Sequence, residues 1–127
     1  MLKAVVVSMQ QQLLAEHGGS PGIRDEGLLD SALARPLNLY SYQPDATIFD
    51  LAATYGHGLC RNHAFVDGNK RVALVATAVF LRINGVQLVA DEASAALTFE
   101  ALASGDLDLQ GLCSWLERSS TTLSSKP

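Results

Sequence analysis

Residues 72–81, reading VALVATAVFL, constrain the fold more than any other part of the chain. Thr77 is the one polar side chain among them, and Gly68-Asn69 and Asn84-Gly85 bracket the stretch as start and stop signals. A helix of this composition is apolar on every face, so it has to be enclosed by other elements. It is far too short for the ~20 residues that cross a bilayer. The apolar content leans on Ala and Leu, with aromatics at only 6%, a balance that suits helices better than strands. The expectation is a central helix from about Gly68 to Asn84 with others packed around it.

The flanking sequence supplies those others. Residues 3–17 read as a helix stopped by Gly18-Gly19 and Pro21-Gly22. Asp25 caps a second helix with Leu28, Leu29, Ala32 and Leu33 on its apolar face, and Pro36 is expected to end it, leaving residues 36–46 as a loop. Thr47 caps a third, in which Ile48, Leu51, Ala52, Tyr55 and Leu59 follow the period of one buried face. After the central helix come a short extended piece at 86–89 and helices at about 91–104 and 108–118. The Ser/Thr-rich tail, 119–127, is expected to be disordered. The chain therefore reads as all-α, about six helices around a central buried helix, with residues 1–118 as one domain of 127 residues in all.

The formal net charge of -4 argues against non-specific binding to nucleic acid, which cationic side chains drive. Cys60 and Cys113 are too few for a disulfide framework, so a reducing compartment is the default. The apolar residues near the start run into Gln10-Gln11-Gln12 with no cleavage pattern. The expectation is a soluble, cytoplasmic protein that engages neither membrane nor nucleic acid.

Chemistry concentrates between the third and central helices, at His63-Ala64-Phe65-Val66-Asp67-Gly68-Asn69-Lys70-Arg71. His63 is able to take a proton near neutral pH. Asp67 offers a hard oxygen ligand suited to Mg²⁺. Gly68 allows close backbone approach, and the first N–H groups of the next helix make an anion site. Lys70 and Arg71 add positive charge there. Phe65 is expected to pin the loop by inserting into the core.

Plainer readings exist for several of these. Asp67-Gly68-Asn69 is a good turn and N-cap, and a lone His at a helix C-terminus is a favourable dipole partner. Lys70 and Arg71 fit the plain reading less well, because cations in a first turn oppose the helix dipole by about 0.3–1 kcal/mol each. An anion bound there would offset that cost. His57, Cys60 and His63 are spaced H-x2-C-x2-H with Asp67 nearby, but side chains at i and i+6 of a helix point far apart, which weighs against zinc. Neither a Walker A loop nor an H-E-x-x-H pair is present.

The loop resembles the signature of the Fic/Doc superfamily, H-x-F-x-[D/E/N]-[G/A]-N-[G/K]-R, at His63, Phe65, Asp67, Gly68, Asn69, Lys70 and Arg71. Residues 18–25, 31–36 and 80–86 are similar to the corresponding segments of Doc (death-on-curing) toxins, so the likeness reaches across roughly residues 13–118. The first helix departs: Gln10-Gln11 stands where some relatives have His-Asp.

The resemblance implies a compact helical fold and nucleotide-dependent group transfer using ATP and Mg²⁺. By position, His63 is the general base and Asp67 holds the metal. Backbone groups at Gly68 and Asn69, with Lys70 and Arg71, contact phosphate. Arg61 matches an Arg of the Doc toxins, implying substrate or phosphate contact; its plain alternative is a solvated surface charge. Lys in place of Gly at position 70 marks the Doc branch, where a long side chain fills the hollow for the inner phosphates and the γ-phosphate is transferred instead of AMP. That implies a toxin kinase that phosphorylates elongation factor Tu and stops translation. The self-inhibitory pattern [S/T]-x-x-x-E-[G/N] fails at Glu26-Gly27, because Gly22 occupies the Ser/Thr position. Inhibition by a Phd-like antitoxin is therefore implied. AMP transfer, and a non-catalytic inhibitor or co-repressor, remain the alternatives.

Overall fold

A computed structural model describes residues 3–123. Six helices follow in order: α1 (Lys3–His17), α2 (Glu26–Tyr42), α3 (Ile48–Arg61), α4 (Asn69–Ile83), α5 (Glu92–Ser104) and α6 (Leu109–Arg118). Two short strands, β1 (Val86–Leu88) and β2 (Ser120–Thr122), complete the described elements. Among the described residues the fold is all-α apart from this antiparallel pair and an isolated antiparallel bridge between Ile23 and Phe65.

The caps explain most boundaries. Asp25, Asp91 and Asp108 each accept a backbone N–H three residues on. Thr47 and Asp50 form a reciprocal capping box at the start of α3. Gly105 ends α5 in the left-handed conformation.

The most enclosed helix is α3, not the apolar α4 that the sequence singles out. Ala52, Ala53, Thr54, Tyr55, Gly56, Gly58, Leu59 and Cys60 of α3 are all buried, and the helix packs against α2, α4, α5 and α6. Small residues make this possible. A Cβ on Gly56 would stand 2.6 Å from Thr77 Oγ1 on α4 and 3.3 Å from Leu112 on α6. On α4, Val72, Ala73, Ala76, Thr77 and Leu81 are buried, while Leu74 and Val75 on another face are only half-buried. That second apolar face lines a groove, as described below.

Pro36 does not end α2, which runs on to Tyr42. Pro36 continues the buried stripe of Leu29 and Ala32, so its packing against the core offsets the missing backbone donor. Residues 36–42 are thus helical rather than loop. The tail departs from expectation as well. Val86 pairs with Thr122, Gln87 with Thr121 and Leu88 with Ser120. Val89 N–H donates to Ser119 O at 2.7 Å, and Leu123 N–H to Gly85 O at 2.8 Å. The backbone after Ser119 finds its partners on the edge offered by β1, which composition could not reveal. Residues 124–127 lie outside the described chain.

Candidate active site

After Arg61 the chain leaves α3, and His63 takes φ +51°, the only positive φ outside glycine among the described residues. Residues 62–67 then run beside residues 20–25. Arg24 and Asp25 N–H both donate to Ala64 O (2.7 and 3.1 Å), and Val66 N–H donates to Gly22 O (3.0 Å). The Arg24 side chain donates to the carbonyls of His63 (2.7 Å) and Asn62 (3.3 Å). Asn62 in turn donates its amide to Leu28 O at 2.9 Å. Backbone strain at His63 is therefore held from outside by Arg24.

Phe65 is 1% exposed and sits in the core. The Asn69 side chain closes the loop around it, accepting Phe65 N–H and donating to Phe65 O, both at 3.0 Å. Asn69 is buried, so its amide braces the loop and is not available to a ligand; only its backbone N–H remains for one.

Gln10 of α1 is 1% exposed and ties three segments together. Its Nε2 donates to Asp67 O (3.2 Å) and Ser20 O (3.5 Å), while Oε1 accepts Gly22 N–H (3.3 Å). Asp67 Oδ2 accepts Ser20 N–H at 2.8 Å. Gly19, at φ +118°, lets residues 18–20 pass this close: a Cβ there would stand 2.8 Å from Leu14 and 3.3 Å from Asp67 Cβ.

Gly68 is the N-cap of α4, at φ +81°, and no side chain caps the helix. The turn and N-cap reading of Asp67-Gly68-Asn69 thus holds at Gly68, while the Asp67 and Asn69 side chains are turned to other partners and do not cap the helix. The first turn of α4, where Lys70 and Arg71 are exposed, keeps its backbone donors, with the positive end of the helix dipole behind them. Arg71 is exposed beside them and has no ion-pair partner among the described residues.

Two of the cations are placed differently from expectation. Lys70 Nζ reaches across to α5 and meets both carboxylate oxygens of Glu100, at 2.9 and 3.0 Å. Its side chain therefore does not fill the hollow at the start of α4. Arg61 donates Nη1 to Leu102 O (3.2 Å) and Ala103 O (3.1 Å), closing the last turn of α5. Arg61 is exposed yet tied to these two carbonyls, and it does not line the groove.

That groove, of about 920 Å³, runs between α4 and α5. Leu74, Val75 and Phe99 supply apolar lining; His63, Asp67, Gly68, Lys70, Arg71 and Glu100 stand at its polar end. A smaller hollow of about 320 Å³ adjoins on the α1 side, where Asp67, Gly68 and Arg71 meet His17, Gly18 and Gly19. An apolar trough leading to uncapped N–H groups and a free guanidinium suits a ligand with an apolar body and an anionic end.

A divalent ion fits this donor set if it arrives with phosphate. Asp67 is one carboxylate, and Mg²⁺ is held by one or two carboxylates together with phosphate oxygens and water. The zinc alternative has no such support. His57 Nδ1 faces Arg35 Nη1 at 3.2 Å, and the buried Cys60 Sγ points to Phe99 O at 3.7 Å. Burial pushes the Cys60 thiol up to about 11. No group of three metal-ligating side chains occurs among the described residues.

Gln10, Arg24 and Glu100 escape the motif reading. For Gln10 a signal exists: it falls one turn after Val6 and one before Leu13 and Leu14, a polar residue on an apolar stripe. Nothing in the spacing of Arg24 or Glu100 points to the loop.

The chain belongs to the Fic/DOC family, whose model matches residues 3–81. It is 52% identical over 75 residues to "Toxin Doc" of Mycolicibacterium smegmatis, a match covering 58% of each chain, so it spans little more than half the length of that relative. It is 32% identical over 113 residues to "Protein kinase doc" of Escherichia phage P1, covering 89% of each. No helix among the described residues is long and apolar enough to cross a membrane.

Proposed function

We propose that the protein is a Doc-like toxin, a nucleotide-dependent phosphotransferase that moves the γ-phosphate of ATP to a hydroxyl of a translation protein. The observation that carries this reading is the uncapped start of α4, with His63, Asp67 and Arg71 around it at the end of an apolar groove. The nucleoside lies along the groove and the phosphates at the helix start. His63 takes the proton of the target hydroxyl as that oxygen bonds to the γ-phosphorus; the bond to the bridging oxygen breaks, and ADP leaves. Backbone N–H groups of Gly68, Asn69 and Lys70, with the Arg71 guanidinium, stabilise charge on the phosphoryl oxygens. Mg²⁺, held through Asp67, would neutralise phosphate charge. The names of the two relatives, a toxin and a protein kinase, support this class of reaction.

The finer proposals are elongation factor Tu as target, a Phd-like antitoxin as partner, and action in the cytoplasm. One observation favours a second reading, AMP transfer: Lys70 is drawn to Glu100, which leaves the hollow for inner phosphates open. Incubation with elongation factor Tu and ATP labelled at either the α- or the γ-phosphate decides. Label from the γ position alone is expected. Label from the α position makes the protein an AMP transferase, and absence of both label and Mg-ATP binding leaves a non-catalytic inhibitor.

A further inference from the structure

Lys70 and Arg71 are neighbours in the first turn of α4, yet their surroundings differ. Arg71 stands where the two hollows meet, with no ion-pair partner among the described residues. Lys70 is bound through both oxygens of Glu100, on the opposite wall of the groove. The pair joins α4 to α5, and Phe99, next to Glu100, lies on the groove lining. Both partners are well exposed, the Lys70 side chain by 47% and that of Glu100 by 64%. Exposed pairs of this kind are weak and are displaced by a stronger ion. A polyphosphate at the start of α4 is such an ion, because it also gains the helix N–H groups and Arg71.

We propose that Glu100 is a positioning residue that sets the strength of the anion site: it withholds the Lys70 ammonium from the start of α4 until a polyphosphate competes for it. At rest the site offers one free guanidinium and the backbone donors. Binding recruits the second cation at the expense of the Lys70–Glu100 pair, leaving a free carboxylate on the far wall. Glu100 thereby lowers affinity for any polyphosphate. The proposal rests on the polyphosphate reading of this loop, whatever group is transferred.

The test is a double-mutant cycle read by calorimetric binding of inorganic triphosphate to the whole chain. Wild type, Glu100→Gln, Lys70→Met and the double variant are compared. Removing the carboxylate charge alone is expected to tighten binding by about threefold to tenfold, an advantage that shrinks with added salt. With Lys70→Met already present, the same change is expected to have an effect within about twofold. An equal gain in both backgrounds would make Glu100 a general negative charge and overturn the proposal, as would no gain in either. Failure of all four proteins to bind triphosphate overturns it together with the anion site. ATP-label transfer by the same preparations keeps the two readings apart: coupling without transfer strikes only the proposed activity, and transfer without coupling strikes only the role of Glu100.

Discussion

Where α3 crosses α4, the fit depends on side chains that are absent. Gly56 allows Thr77 to approach, and Ala52, Ala53, Ala73 and Ala76 are all fully enclosed. Where the chain turns from one helix to the other, it depends on polar side chains that bind backbone: Gln10, Arg24 and Asn69 hold residues 62–67 through their carbonyls and N–H groups. The helix pair fails when volume is added, and the loop fails when a hydrogen bond is removed. Close packing sets the distance between the helices, while the polar ties set where His63, Asp67 and the start of α4 stand relative to one another.

The largest effect should come from crowding the helix pair. Gly56→Val would push a side chain into Thr77 and Leu112, and is expected to cost about 3 kcal/mol in urea unfolding, at the upper end for overpacked sites. Asn69→Ala would leave the N–H and C=O of buried Phe65 unpaired, costing about 2 kcal/mol. Unlike the Gly56 change, it should also speed amide exchange selectively in residues 63–67 and depress transfer activity. Equal losses of activity at equal stability would erase the distinction between the two regions.

The core also has a signature in pH. Burial pushes the Cys60 thiol up to about 11 and, with Asp50 beside it, the Cys113 thiol up to about 12, against an ordinary 9.0. The folded chain then holds protons that the unfolded chain has released. The stability these thiols contribute is complete below pH 9.0 and falls as pH rises through about 11 for Cys60 and about 12 for Cys113. Urea midpoints should fall over that window, less steeply in a Cys60→Ala protein. Thiol titration of the native protein at pH 8 should find both cysteines slow to react. The smallest effect is expected for Arg61→Gln, about 1 kcal/mol from lost bonds to the end of α5, with the KM for ATP unchanged.

The difference between the regions also governs what sequence can reveal. Helix caps at Asp25, Thr47, Asp91 and Asp108 are local, and their residues announce them. The loop motif is local too, so its place between two helices is readable. Non-local partners are not. Lys70 looks like a cation without a counter-charge until α5 brings Glu100 to it, and Arg61 looks free until Leu102 and Ala103 meet it. Pro36 and the tail mislead for the same reason. Burial of Pro36 and the pairing of residues 120–122 with 86–88 depend on distant chain segments. The apolar character of α4 predicts enclosure, yet part of it lines a groove instead.

In the proposed mechanism the loop holds His63 in place as a base beside an anion site. Asn is the informative replacement, because it tolerates the positive φ found there while removing the imidazole. His63→Asn should keep the wild-type melting temperature and triphosphate affinity, while γ-phosphate transfer to elongation factor Tu falls by about a hundredfold or more. Transfer at the wild-type rate by this variant would contradict the account.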